Sequence, residues 1–355
     1  MSAARGPLAT LLAWEAVTSL GESAAETALL LRAGLVNVAP SRFIDAAGER
    51  VMMCSAPAIP PHLAGAERAA ALAQLALSRL VEAIETPRRP VLLLAVPMPF
   101  AAEESSTLGT EGHAFLESLR AGLPSSLKSV EIEFFPFGRA AGAVALRRAL
   151  QFLGEDRLVI WGGVDTWYDW AALEALEQKD RLLTGANIDG VRPGEGAAFV
   201  CLGPPTRPGV RVLGLGTGRE PHPVGSEEPC RSVGLSEALA AAVVPLREAA
   251  RRTNCWLLDN THEAYATQEL QNIIARFGDV IGLQTELQMP LKELGDVGAA
   301  AMPLLTVLGA EAWRLGYAND AAAVVTGCSP DGARGALLLG AHDGFQLVEK
   351  AAWAS

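Results

Sequence analysis

Cysteine is scarce in this sequence, and its spacing excludes the common metal motifs. The 355 residues contain five cysteines, no two of which form a Cys-x-x-C pair, and none lies near a histidine at zinc-site spacing. They are Cys54, Cys201, Cys230, Cys255 and Cys328. This pattern predicts that the protein holds no metal, and an odd number of dispersed thiols is typical of a reduced, cytoplasmic protein.

Clusters of basic residues are absent as well. The chain has 29 Lys and Arg against 40 Asp and Glu, which gives a net charge of −11. The arginine pairs at 88–89, 147–148 and 251–252 are isolated, which is typical of solvated faces. Because phosphate binding requires clustered cations, we expect no nucleic-acid partner.

Long apolar runs and nucleotide-binding motifs are missing too. No stretch reaches the ~20 uninterrupted apolar residues of a membrane helix, and the apolar run at 8–14 is interrupted by Glu15, unlike a signal peptide. The sequence contains no Gly-x-Ser-x-Gly elbow, P-loop or dinucleotide fingerprint. We therefore expect a soluble cytoplasmic protein with no membrane partner and no cofactor.

The abundant residues are those of a buried α/β protein. Half of the residues are apolar and only 19% are charged. Val91–Val96, Val130–Phe135 and Leu158–Trp161 have the patterns of strands, and Gly138–Phe152 has that of a helix. Strand, helix and strand at this spacing form a βαβ unit, which predicts a parallel sheet flanked by helices.

The second half of the chain repeats this scheme. Gly196–Leu202 and Val210–Leu215 are predicted to be paired strands, and Ser236–Arg252 is predicted to be one helix, whereas the turn-rich residues 38–61 are predicted to be irregular. We expect an α/β protein of two similar halves, residues 1–205 and 206–355, that form one compact unit.

Several glycine-rich segments resemble one family. Asp189-Gly190 is followed by the segment Gly-Glu-Gly-Ala at 194–197, Leu158–Asp165 is a strand ending in a glycine turn, and Leu294–Ala300 precedes a long apolar helix. With Val17–Gly21 near the start, they resemble the ketosynthases of the thiolase fold over nearly the whole chain. The resemblance implies a thiolase-like body of five layers, α-β-α-β-α.

The resemblance also indicates where a nucleophile would lie. Ketosynthases carry a cysteine at the start of a buried helix, where the helix dipole favours the thiolate. The family pattern Ala-Cys-Ser-Ser-Gly matches a stretch beginning at Gly138, and Arg139 falls on the cysteine. A guanidinium stays protonated and is no nucleophile, so we expect no condensing activity from this position.

The other catalytic positions implied by the resemblance also depart from the family. His262 falls within one residue of the first catalytic histidine, while Gly295 and Asp296 stand near the second. Lys292 is at best a displaced counterpart of the family's lysine, and the glycine-rich gate is reduced to residues 329–335. His262 is interpreted as a surface or satisfied core histidine rather than a catalyst.

Arg139 itself has two interpretations. It forms a structural ion pair with a carboxylate such as Glu195, or it fills the former pocket and binds an anion through both arms of its guanidinium.

The leading functional hypothesis is a catalytically inactive pseudoenzyme that acts as a protein-binding scaffold. Thiolase-fold proteins dimerise through the strand before the nucleophile helix, and here that strand carries Phe134, Phe135 and Phe137. A homodimer or a heterodimer with a thiolase-fold paralogue is expected.

Two precedents within the family suggest what such a scaffold does. One is a chain-length-factor-like subunit, which implies an acyl carrier protein nearby. The other is an accessory in type VI secretion, which implies a secreted effector as partner, and the short chain favours it.

The rival hypothesis is an enzyme with relocated chemistry. An acyltransferase or condensing enzyme acting on acyl thioesters would use His262, Glu263 or Cys328. Cys328 follows an apolar strand pattern at 324–327, a position where active-site loops occur. A buried or loop thiol without a catalytic role is the favoured interpretation of Cys328.

Overall fold

The computed structural model describes residues 6–84, 89–102, 108–154 and 157–341. The strands are β1 Ala9–Thr18, β2 Ala39–Ile44, β3 Arg50–Met53, β4 Val91–Ala95, β5 Glu131–Phe135, β6 Val159–Thr166, β7 Glu195–Gly203, β8 Val210–Arg219, β9 Thr253–Leu257, β10 Ile281–Gln288, β11 Ala322–Cys328 and β12 Ala333–Gly340. The helices are α1 Ala24–Arg32, α2 Gly65–Glu82, α3 Thr110–Gly122, α4 Ala141–Ala149, α5 Trp170–Glu177, α6 Val233–Ala242, α7 Val244–Glu248, α8 Ala264–Arg276, α9 Leu291–Leu294 and α10 Ala301–Arg314.

Ten strands follow one another in the order β10-β9-β11-β12-β8-β1-β7-β6-β4-β5, while β2 and β3 form a separate hairpin. Strands β1, β4, β5, β6 and β7 form the first half-sheet, strands β8 to β12 form the second, and the two have the same internal arrangement. Numbered in chain order within each half-sheet, the first strand pairs antiparallel with the fifth, and the fifth pairs antiparallel with the fourth. The remaining neighbours are parallel. Among the described strands, the two half-sheets are joined by the pairing of residues 9–11 of β1 with 210–212 of β8.

This arrangement confirms the predicted α/β fold of two pseudo-repeated halves. The division expected between residues 205 and 206 falls in the connection from β7 to β8 and stays a prediction.

Alternating side chains along the strands build the layers. Val91 and Leu93 of β4 lie in a central core, whereas Leu92 and Leu94 lie in an outer one. The central core includes the buried faces of α4 and α10 and contributions from both half-sheets. Helices α2 and α3 cover the outer face of the first half-sheet, and α6 and α8 cover that of the second. The order helix, sheet, helix, sheet, helix is the five-layered body.

The structure corrects three local predictions. The segment 38–61 contains the hairpin β2–β3. Strands β7 and β8 do not pair with each other, because β1 from the start of the chain lies between them. The helix predicted at Ser236–Arg252 is divided into α6 and α7, because Pro245 lacks the N–H needed to continue a helix. Long-range pairing of the kind β1 makes leaves no local sequence pattern.

The described part of the chain contains no helix long and apolar enough to cross a membrane.

Candidate functional site

The starts of α4 and α10 meet at the centre of the molecule. Each helix is preceded by a tight 3-10 turn whose first residue is a glycine of positive φ, Gly138 at 62° and Gly298 at 47°. A side chain at Gly298 would overlap the carboxylate of Asp165. Glycine is therefore required there, both for the backbone conformation and for the close approach of this acid.

Arg139, in the turn before α4, forms a buried ion pair with Asp296, which lies just before α10. Its Nε donates to Asp296 Oδ1 at 2.9 Å and its Nη2 donates to Oδ2 at 2.7 Å. Asp296 Oδ1 also accepts the N–H of Gly298. The fold thus brings together two positions that the sequence singled out separately.

The pair shifts both ionisations toward the charged forms. Burial alone would raise the pKa of Asp296, but the adjacent Arg139 outweighs it and holds that pKa below its ordinary value. Burial alone would lower the pKa of Arg139, but Asp296 outweighs it and raises that pKa above its ordinary value. Both groups are therefore charged at neutral pH, and the turn before α4 carries a fixed cation.

Arg139 does pair with a carboxylate, as one of its two interpretations predicted, but the example named for it, Glu195, is wrong. Glu195 is fully buried and pairs with Arg68 of α2, whose Nε and Nη2 each donate to it at 2.6 Å. The hydroxyl of Thr166 and the N–H of Ala56 also donate to Glu195. Glu195 begins β7 and faces the outer layer containing α2, so it is already satisfied away from Arg139.

A narrow, partly open cleft lies beside Arg139 at the carboxyl ends of the parallel strands β9 and β11. Asp259 and Asn260 follow β9, while Cys328 ends β11 and Ser329 follows it; all four line the cleft. The N–H of Cys328 donates to Asp259 Oδ2 at 2.6 Å. Burial raises the pKa of Asp259 to about 6, against the opposing charge of Arg139.

Two further arginine–carboxylate pairs complete the walls of the cleft. Arg181 donates through Nε and Nη2 to both carboxylate oxygens of Glu263, at 2.7 and 2.9 Å. Arg334 donates through Nε to Glu269 at 2.9 Å and through Nη2 to the hydroxyl of Tyr265 at 3.1 Å. The cleft is therefore strongly polar on one side.

Cys328 lines the cleft but is poorly suited to act as a nucleophile. Burial, followed by the negative charges of Asp259 and Glu269, raises the pKa of its thiol well above the ordinary value. Burial likewise raises the pKa of Cys54 and of Cys201 to about 11 and that of Cys255 to about 12. Among these thiols, none has the thiolate character that acyl transfer requires.

His262 does not line the cleft. It is half-buried, its Nε2 has no hydrogen-bond partner among the described residues, and burial, with Arg192 and Lys292 nearby, lowers its pKa. The residues after β9 that face the cleft are instead Asp259 and Asn260. Their position at the end of a strand parallel to β11 is the signal that could have identified them from the sequence.

One group in the described part of the chain could hold a metal ion. Ligand atoms of Glu220, Cys230 and Glu269 lie within 4.8 Å of one another. Arg334 already engages Glu269, and the N–H of Gly234 donates to Glu220. Since both carboxylates are engaged by protein donors, the geometry does not require an ion there.

The predicted dimer strand, β5, lies at the outer edge of the first half-sheet. Phe134, Phe135 and Phe137 are half-buried against the adjacent cores. Glu131 donates its N–H to Pro90 and Phe135 accepts from Val96, so residues 131, 133 and 135 face β4. The main-chain groups of Ile132 and Phe134 therefore face the open edge.

Comparison with known proteins identifies the fold. No protein-family model matches the sequence, and no curated protein matches it significantly. A structure described as the ishigamide ketosynthase/chain length factor is 18% identical, with a TM-score of 0.67, and the match covers 95% of this chain and 99% of that one. A ketosynthase (ApeO) in complex with its chain length factor (ApeC) from Xenorhabdus doucetiae is 14% identical, with a TM-score of 0.69 and coverage of 94% and 98%.

A third similar structure, AntDE:AntF, is a type II PKS acyl-carrier protein in complex with its ketosynthase bound to the hexaketide. It is 13% identical, with a TM-score of 0.73 and coverage of 95% and 100%.

Proposed function

We propose that this chain is a non-condensing, ketosynthase-like subunit that pairs with a thiolase-fold partner, as a chain length factor does. The proposal is supported by the thiolase-like fold of ketosynthases and chain length factors, which the chain has over nearly its full length. The observation that carries the proposal is the buried Arg139–Asp296 pair at the start of α4.

The pair accounts for the absence of condensing chemistry. The resemblance to ketosynthases places the family's nucleophile at the start of this helix. A nucleophile there requires a side chain that can lose a proton. A permanently charged guanidinium held by a carboxylate on both arms offers none. The resemblance also places Asp296 near the second histidine, so two of the expected catalytic positions neutralise each other.

The open edge of β5 supports the pairing. The main-chain N–H and C=O groups of Ile132 and Phe134 are available to a second strand, and the nearby phenylalanines supply apolar surface. Two of the similar structures are named for a ketosynthase and a chain length factor. A heterodimer with a thiolase-fold paralogue is therefore preferred over a homodimer, with an acyl carrier protein as a further partner.

The alternative role in type VI secretion has less support. It was favoured because the chain is short for a ketosynthase. This chain covers 98% or more of the three similar structures, so its length does not favour secretion over the chain-length-factor role. A secreted effector as partner stays a prediction.

The rival enzyme with relocated chemistry is favoured by one observation only, the position of Cys328 in the cleft. The raised pKa of that thiol counts against it.

The proposed pairing with a thiolase-fold protein is tested by native mass spectrometry of the tagged chain isolated from the cells that normally produce it. We expect a stoichiometric complex with a thiolase-fold protein. Ile132→Pro should dissociate it, because proline removes an N–H that faces the open edge without breaking a bond to β4. Ile132→Val, which keeps that N–H, is the matched control and should leave the complex intact.

A wild-type chain that is monomeric at micromolar concentration would contradict the proposal. So would a complex that survives Ile132→Pro unchanged.

A further inference from the structure

The cleft beside Arg139 contains polar groups that the protein itself leaves unsatisfied. Asp259 is only 2% exposed, and its Oδ2 accepts the N–H of Cys328. Its Oδ1 is buried and has no hydrogen-bond partner among the described residues. An unpaired buried carboxylate oxygen is costly, so a donor from outside the chain would be stabilised there.

Two guanidinium groups on the walls retain unused donors. Arg139 and Arg181 each bind a carboxylate through Nε and Nη2, and no described residue accepts a hydrogen bond from Nη1 of either. Both side chains line the cleft. The charge of Arg181 also acts on Asp296, the partner of Arg139. Together, the Nη1 groups of Arg139 and Arg181 can donate hydrogen bonds to an acceptor on a ligand.

Asn260 adds a neutral group between the charged ones. It is buried, it lines the cleft, and no described residue forms a hydrogen bond with its amide. An amide can donate to one ligand atom and accept from another. The cleft therefore has unmet donors and unmet acceptors side by side.

The balance of charge in the cleft disfavours a simple anion. The guanidiniums of Arg139, Arg181 and Arg334 line the cleft beside four carboxylates, one of which, Asp296, contacts Arg139 without lining the cleft. The carboxylates are Asp259, Glu263, Glu269 and Asp296. Three pairs are formed and Asp259 is left over, so the ligand needs a cationic or donor group as well as an acceptor.

We propose that this cleft binds a small zwitterion of the amino-acid class. Its ammonium group donates to Asp259 Oδ1, and its carboxylate accepts from Nη1 of Arg139 and of Arg181. The enclosed part of the cleft holds about 20 Å³, roughly the space of one water molecule or one ammonium group, so the rest of the ligand lies in the open mouth. The site is a property of the single chain and does not depend on the proposed pairing.

The first test is isothermal titration calorimetry of the purified full chain against the L-amino acids, one at a time. At least one should bind saturably with one site per chain. For that amino acid, the carboxamide lacks the carboxylate and the α-hydroxy acid lacks the ammonium. Each analogue should bind roughly tenfold or more weakly, because each leaves a charged partner unpaired. Failure of every amino acid to bind would overturn the proposal, as would equal binding of both analogues.

The second test compares matched variants with the same ligand. Asp259→Asn keeps an oxygen for the N–H of Cys328 but turns a donor toward the ammonium, so binding should weaken roughly tenfold or more. Asp279→Asn removes an equal charge from an exposed ion pair with Arg247 and should bind like the wild type. Should Asp259→Asn fail to fold, Arg181→Met takes its place, because it removes one of the two Nη1 groups proposed to bind the carboxylate, with the same expected loss. Unchanged affinity in whichever of the two folds would overturn the proposal.

Discussion

Two buried arginine–carboxylate pairs in this molecule differ in one respect. In the Arg68–Glu195 pair, all three guanidinium nitrogens donate to protein acceptors, and Glu195 receives two further donors from Ala56 and Thr166. In the Arg139–Asp296 pair, two nitrogens bind the carboxylate, and the third has no acceptor among the described residues. Both pairs are almost fully removed from solvent.

This difference distinguishes an ion pair with only a structural role from one that can also form part of a binding site. A fully satisfied pair can only hold the fold together, since nothing else can bind without displacing a protein partner. A pair with an unused donor beside the unpartnered Oδ1 of Asp259 can hold the fold and still bind a ligand. In this comparison, the candidate site is therefore distinguished by its incomplete hydrogen-bond set and not by its buried charge.

The largest expected effect comes from breaking the satisfied pair. Arg68→Met leaves Glu195 buried and without its cation, which should lower the free energy of unfolding by about 3–5 kcal/mol. Arg79→Met, on the same helix, removes an exposed partner of Glu22 and should cost under about 1 kcal/mol. Both are measured by chemical denaturation. Equal losses of unfolding free energy in the two variants would show that the buried Arg68–Glu195 pair stabilises the fold no more than the exposed Arg79–Glu22 pair does.

Breaking the open pair should cost less. In Arg139→Met, Asp296 keeps the N–H of Gly298 and the favourable charge of Arg181, so we expect a loss of about 1–3 kcal/mol. The same denaturation experiment measures it. A loss as large as that of Arg68→Met would mean that the two pairs do not differ in the way described.

A smaller effect is expected on the pH dependence of stability. Burial raises the pKa of Asp165, next to Asp296, to about 8. An unfolded aspartate has a pKa of about 3.9, so between about pH 4 and pH 8 the native state holds a proton that the unfolded chain has released. The free energy of unfolding should therefore fall as pH rises through this window.

Asp165→Asn should flatten that fall in stability, measured by thermal unfolding at a series of pH values. The flattening should be partial, because Asp259 acts in the same direction up to about pH 6. Asp279→Asn removes an exposed carboxylate whose pKa its partner Arg247 lowers, so it should leave the slope unchanged. A slope that Asp165→Asn does not alter would exclude a raised native pKa at this residue.

The smallest effect concerns thiol reactivity. Cys328 in the open cleft should react with a thiol-directed probe at pH 7 about as slowly as the buried Cys54 beside the first half-sheet, because burial raises the pKa of both. Full labelling should appear only after denaturation. Rapid, selective labelling of Cys328 in the native chain would support the rival enzyme.

The fold could be predicted from the sequence because its evidence is local. Apolar strand patterns such as 91–96 and the glycine segments at 162–163 and 194–197 persist where the backbone needs them, and the ketosynthase-like fold they indicated is confirmed. The pairing of strands that lie far apart in the sequence has no such local pattern. The position of β1 between β7 and β8 therefore could not be read from the connecting turn.

The site could be predicted only in part, for the same reason. Arg139 and Asp296 were identified as unusual residues, but their contact spans 157 positions in the chain and depends on how two helices meet. Glu195 was a plausible partner by charge alone and was taken by Arg68. The unmet oxygen of Asp259 is visible only once every neighbouring donor has been placed.

The central claim, that this chain forms no acyl-enzyme, is tested most directly by intact-protein mass spectrometry after incubation with a reactive acyl thioester at neutral pH. The wild-type chain should keep its unmodified mass, because Arg139 cannot accept an acyl group and the pKa of the Cys328 thiol is too high. A stoichiometric acyl adduct that survives denaturation, and that disappears in Cys328→Ala, would contradict the account and establish the rival enzyme.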